Sequence, residues 1–185
     1  TVPWYDAKLY ASTQVMDEAR HVEVFAKYLN EKLGGMYPVN AHLGMLLDDI
    51  ITDSRWDMTY LGMQIMVEGL ALAAFGYMHE LTGEPLLKKL LRYVMSDEAR
   101  HVAFGVLSLK EVYDGMSDAE MKDRQEFAFE ASIRMRDRFL QQEVWEHMGV
   151  KPRDVIPLVL QDPTRAFFQQ LLFAKIVPNC KKLGL

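Results

Sequence analysis

The chain has 185 residues, half of them apolar and 25% charged, which is the balance of one globular domain rather than of a disordered segment. Its 21 basic and 26 acidic side chains leave a net charge of -5, and no basic block stands out, so nucleic acid and anionic membrane surfaces are poor partners. The single cysteine, Cys180, has no partner for an internal disulfide, and with no signal-peptide pattern the sequence points to the cytoplasm.

Helical periodicity runs along the chain and no stretch alternates with period two, so the expected fold class is all-α. The first long helix is expected from Asp6 to Leu33, ended by Gly34-Gly35, which accept the left-handed conformation of a helix end. Met36 to His42 reads as a loop, followed by a short helix from Leu43 to Ile51. A second long helix spans Ser54 to Leu81. Its stretch Leu61 to Met78 imitates a membrane span, but Gln64 and Glu68 interrupt it, and a central carboxylate is costly in lipid. It reads as the buried core helix of a bundle. The third long helix starts at Pro85, a favoured first-turn residue, and ends before Gly115. Ser117-Asp118-Ala119-Glu120 is a capping box opening a fourth helix that is expected to reach His147. Pro152, Pro157 and Pro163 then allow only shorter helices, around Asp154 to Gln161 and Thr164 to Ile176. No linker divides the chain. It reads as one domain over residues 1–185, with the main helices in 6–115 and a helical extension in 117–185.

One string occurs twice: Asp17-Glu18-Ala19-Arg20-His21-Val22 and Asp97-Glu98-Ala99-Arg100-His101-Val102. Each copy falls mid-way along a long helix. At about 100° per residue, Glu18 and His21 are neighbours on one face, as are Glu98 and His101. With Glu68 these make three carboxylates and two imidazoles able to converge in a core. Hard carboxylate oxygens with borderline imidazole nitrogens suit iron or manganese, and cations neutralise carboxylates that burial would otherwise penalise. A single Glu-x-x-His is more often a surface pair. Two copies at equivalent positions, with a third Glu inside an apolar helix, favour a dinuclear metal site of the helical-bundle type. Asp17 and Asp97 flank the imidazoles and are the obvious acceptors for their second N–H groups. Arg20 and Arg100 are expected to pair with carboxylates at the edge of the site. Gln14 and Gln64 each precede a glutamate by one turn and are candidate donors to it.

The doubled Asp-Glu-x-Arg-His string resembles that of the ferritin-like di-iron carboxylate proteins. These include bacterial multicomponent monooxygenases, acyl-carrier-protein desaturases, arylamine N-oxygenases, ribonucleotide reductase radical-generating subunits and bacterioferritins. The resemblance covers residues 6 to 115. It implies a ferritin-like four-helix bundle, with Glu18, His21, Glu98 and His101 each on one metal ion of a pair and Glu68 on the partner side or bridging. It implies that Asp17 and Asp97 each reach the histidine of the opposite copy. It also implies two iron ions, or one manganese and one iron, and an oxidase or oxygenase acting with O2, an electron donor and a small apolar substrate, as a homodimer.

Iron storage of the bacterioferritin type is the alternative, opposed by the long segment after Ser117. A ribonucleotide reductase radical subunit is another. Its tyrosine follows the first His by four residues, where this chain has Phe25. The threonine that monooxygenases carry one turn after the third-helix Glu corresponds to Leu72. Gly105, Gly69, Ala71, Ala73 and Ala74 either leave room for substrate or permit close packing. His42, His79 and His147 read as structural, and Trp4, Trp56 and Trp145 as packing. A symmetric site needs one more Glu, paired with the first motif as Glu68 is with the second. The interval 98 - 68 = 30 puts it at 18 - 30 = -12, before Thr1, so the first bundle helix is expected to be missing and an open apolar trough to lie beside the site.

Overall fold

The computed structural model describes residues 2–185. Helix accounts for 83% of the described residues, and there is no strand among them, so the all-α class holds. In order, the helices are α1 (Tyr5–Lys32), α2 (Ala41–Thr52), α3 (Trp56–Tyr60), a π-helical segment Leu61–Val67, α4 (Glu68–Leu81), α5 (Pro85–Tyr113), α6 (Asp118–Arg138), α7 (Gln142–His147), α8 (Pro152–Gln161) and α9 (Pro163–Lys182).

Local chemistry sets the starts. Asn40 accepts hydrogen bonds from the amides of His42 and Leu43, and Glu84 from those of Leu86 and Leu87 with Pro85 in the first turn. Ser117 and Glu120 form the capping box in both directions. Each satisfies amides that an uncapped helix leaves without partners.

Three boundaries depart from the sequence reading. The second long helix is not uniformly α: from Leu61 to Val67 its backbone bonds run i to i+5, and the Glu68 amide donates to the Met63 carbonyl. The fourth helix does not reach His147. It breaks at Phe139 to Gln141, where Gln141 takes φ 53°, Leu140 turns inward and the Trp145 Nε1–H donates to the Leu140 carbonyl at 3.0 Å. The last helix runs past Ile176 and through Pro178, which drops one amide donor while Leu183 beyond it packs into the core.

The continuous rod from Trp56 to Leu81 is the centre of the molecule. Leu61, Ile65 and Met66 are fully buried, packed with Leu109 of α5, Met135 of α6 and Leu172 and Ile176 of α9. Burying each such side chain is worth about 1.5–3 kcal/mol. This helix is long and apolar enough to cross a membrane by length and composition, but half of its most apolar window lies inside the protein. Helix α4 packs chiefly on α5 and α9, while α1 rests on α5.

The two glycines near the glutamates serve contact, whereas Ala74 borders a separate cavity with Tyr77, Phe139 and Phe168. A Cβ on Gly105 would overlap the Cβ of Gln64, and one on Gly69 would meet Ile176 at 3.4 Å. Phe25 is occupied with Phe75, their ring centroids 5.5 Å apart. Trp4 and Trp56 pack edge to face at 5.0 Å. His79 contacts Glu80 at the surface, and His42 and His147 stay outside the core.

Candidate metal centre

Three helical segments converge: the middle of α1 brings Glu18 and His21, the first residue of α4 is Glu68, and the middle of α5 brings Glu98 and His101. His21, Glu68, Glu98 and His101 are buried. The Glu18 side chain is 43% exposed, although its Oε1 is shielded from solvent. The His21 and His101 rings lie 6.3 Å apart, centroid to centroid.

Each helix-paired glutamate faces both imidazoles. Glu18 Oε2 is 3.4 Å from His21 Nδ1 and its Oε1 is 3.1 Å from His101 Nδ1. Glu98 Oε1 is 3.3 Å from His21 Nδ1 and its Oε2 is 3.4 Å from His101 Nδ1. Glu18, Glu68, Glu98 and His101 each place a donor atom within 4.8 Å of the others. His21 stands outside that group of four. The two halves are therefore unequal, with Glu68 on the His101 side only.

The far nitrogens are held from behind. His21 Nε2–H donates to Asp97 Oδ2 at 3.1 Å, and His101 Nε2–H donates to Asp17 Oδ2 at 3.3 Å. Arg20 donates to Asp17 and to Asp97, each at 2.7 Å, and Arg100 donates to Asp97 at 2.7 Å and to Asp17 at 3.3 Å. Two aspartates and two arginines thus close a ring between α1 and α5. Gln14 Nε2 donates to Glu68 Oε1 at 2.6 Å, across the site rather than to Glu18 of its own helix. Gln64 donates to Gln14 at 3.4 Å and so reaches Glu68 through Gln14.

The electrostatics are those of a cluster short of positive charge. Burial, reinforced by Glu98, pushes the Glu68 carboxyl up to about 8. Burial alone would lower His101, but the Glu18 and Glu98 carboxylates beside its ring, with the nearby charges of Glu68 and Asp17, outweigh it and raise it to about 10. Glu18 is lowered, since the two imidazoles outweigh its desolvation. Asp97 is lowered as well, its burial outweighed by His21, Arg100 and Arg20.

Buried atoms left without partners give the test of fit for a metal. Glu18 Oε1, His21 Nδ1, Glu68 Oε2, Glu98 Oε2 and His101 Nδ1 are all shielded from solvent, and none has a hydrogen-bond partner of acceptable geometry. Buried polar atoms are rarely left so, and five in one place call for a shared cation. Carboxylate oxygens with imidazole nitrogens are a donor set for iron or manganese, so the residues fit.

The sequence matches the family of the p-aminobenzoate N-oxygenase AurF over residues 5–184. The chain belongs to this family. It is accordingly an oxidoreductase of a di-iron, ferritin-like oxygenase group, and the AurF match decides against the iron-storage and ribonucleotide-reductase alternatives. The match also covers α6 to α9, so the AurF pattern extends through the helices beyond the doubled string. No curated protein and no solved structure matches the chain.

Proposed function

We propose that the chain holds two iron ions in this centre and uses them with O2 to oxygenate the amino nitrogen of an arylamine of the p-aminobenzoate kind. The observation that carries the reading is the set of five buried donor atoms, from α1, α4 and α5, that no hydrogen bond satisfies. The family name supplies the substrate class.

Glu18 and Glu98 each face both imidazoles and would be shared between the two ions. His21 would serve one ion, and His101 with Glu68 the other. When bound, the iron pair supplies the electrons that reduce O2 and the oxidant that attacks nitrogen. The protein's own work is positional. Asp17 and Asp97 accept the Nε2–H groups, which fixes the tautomer and turns the Nδ1 lone pairs inward. Arg20 and Arg100 bridge those two aspartates and keep them turned toward the imidazoles. Gln14 donates to one Glu68 oxygen and leaves the other free to ligate. The apolar rod before Glu68 keeps bulk water from this side of the cluster.

Reconstitution with iron(II) under argon, metal analysis and admission of O2 with p-aminobenzoate test the proposal. About two irons per chain, O2 uptake and an N-oxygenated product support it. Iron-loaded protein that consumes no O2 refutes it, and manganese bound with iron in equal amounts refutes the di-iron form.

A further inference from the structure

A groove of about 440 Å³ runs between α1 and α5, behind the metal centre. Its walls are Tyr28, Leu86, Leu90, Tyr93 and Val94, and its inner end is His21 with Asp97. None of Glu18, Glu68 or Glu98 lines it. The groove therefore meets His21 on its Nε2 side, 3.1 Å from Asp97, while the Nδ1 that faces the carboxylates points the other way. A molecule lying here would not reach an ion held by Glu18, Glu68 and Glu98, and the His21 imidazole would stand between the two.

The rim has a charge of its own. Arg20, Lys27, Lys32 and Lys89 line it against Glu31, with Asp97 already engaged by His21 and two arginines, on a chain whose net charge is -5. Lys27 pairs with Glu23, whereas Lys32 and Lys89 have no ion-pair partner among the described residues. An apolar slot of this volume bordered by tyrosines and free ammonium groups suits a flat aromatic body with an anionic tail.

We propose that this groove binds a flavin mononucleotide in its reduced form as the electron donor to the centre. The electron-transfer half rests on the function proposed above; the binding half does not. Position selects the donor class. A hydride donor must place its hydride on the accepting atom, which the groove does not reach, whereas a flavin releases electrons singly and at a distance. The hydroquinone gives up two electrons and two protons and becomes the oxidised flavin. The Asp97–His21 edge would carry one electron to each of two ferric ions held at the centre, and the protons would leave through the open side of the groove.

Titration of metal-free protein with oxidised flavin mononucleotide, followed by flavin fluorescence, tests binding. Saturable binding is expected. It should weaken at least tenfold in the Lys32→Glu/Lys89→Glu double variant, while riboflavin, lacking the phosphate, binds both proteins alike. Tyr93→Ala should weaken both ligands. No saturable binding, or equal affinity in wild type and double variant, overturns the assignment. The second arm mixes photoreduced flavin mononucleotide anaerobically with iron(III)-loaded protein. The double variant should be reduced at least tenfold more slowly at sub-saturating flavin, with an unchanged rate from dithionite. Equal flavin rates overturn the donor role. A chain that binds flavin but no iron would leave the groove standing and remove the proposed function instead.

Discussion

Glu68→Gln should make the metal-free protein more stable while weakening its hold on iron. The wild-type carboxyl is 5% exposed and titrates at about 8 rather than at its ordinary 4.5, because burial and Glu98 disfavour the anion. For an acid raised in the folded state, stability is greatest below the unfolded value and falls as pH rises through the folded one. From pH 4.5 to pH 7 the loss accumulates at 1.36 kcal/mol per pH unit, which gives about 3 kcal/mol. Glutamine has nearly the same shape, accepts the Gln14 hydrogen bond through its own carbonyl, and carries no charge to desolvate. At about 2–4 °C per kcal/mol for a chain of this size, Glu68→Gln should raise Tm by roughly 6–12 °C at pH 7 in the presence of chelator. At pH 5 the gain should shrink to about 1 kcal/mol or less. With iron(II) added the order should reverse, since the variant offers one anionic ligand fewer. Calorimetry at the two pH values, with and without iron, reads all of this. A variant that melts with wild type at pH 7, or whose gain is the same at pH 5, refutes the desolvation argument.

Other consequences are equally direct. At pH 7 the metal-free protein holds protons on Glu68 and His101, whose values are raised to about 8 and about 10, so iron uptake should release roughly two protons per chain, measured with an indicator dye in weak buffer. Uptake without release would contradict those assignments. Asp17→Ala and Asp97→Ala should each lower metal affinity about 10- to 100-fold with the helix content unchanged. Wild-type affinity in either variant, read by metal titration, would remove its aspartate from the role. Gly105→Ala should cost about 1–3 kcal/mol, because the added methyl meets the Gln64 side chain, and it should disturb the Gln64–Gln14–Glu68 chain; thermal melts and metal titration check both.

The doubled string was readable because the helical period is regular over one turn: Glu18 with His21, and Glu98 with His101, share a face whatever else the chain does. What spacing could not supply was direction across the site. The resemblance placed one glutamate on each ion, whereas Glu18 and Glu98 each face both histidines, a matter of side-chain torsion. Gln14 stands one turn from Glu18 but serves Glu68, because α1 and α4 approach each other there. The π-helical bonding before Glu68 has no compositional mark; Leu61 to Val67 reads as an ordinary apolar α-helix. The break at Gln141 carries neither glycine nor proline; the burial of Leu140 and the Trp145 hydrogen bond to its carbonyl hold it, and both are contacts of the folded chain. Gly105 was ambiguous by nature, since a missing side chain signals room and contact equally.

Helix α1 has 28 residues, of which Ala7, His21 and Tyr28 alone are buried. Val15 and Val22, flanking Glu18 on its open side, are 67% and 70% exposed. Its attachment to the rest of the protein thus owes less to oil than to charge: the Asp17–Arg100 and Asp97–Arg20 ring, and whatever cation Glu18 and His21 share with α5. Such an element opens as a unit at a lower free energy than the apolar rod it lies beside. Undocking of α1 would carry Glu18 and His21 away and leave Glu68, Glu98 and His101 behind, so a bound cation would act as a clasp on this helix and a chelator would loosen α1 before anything else.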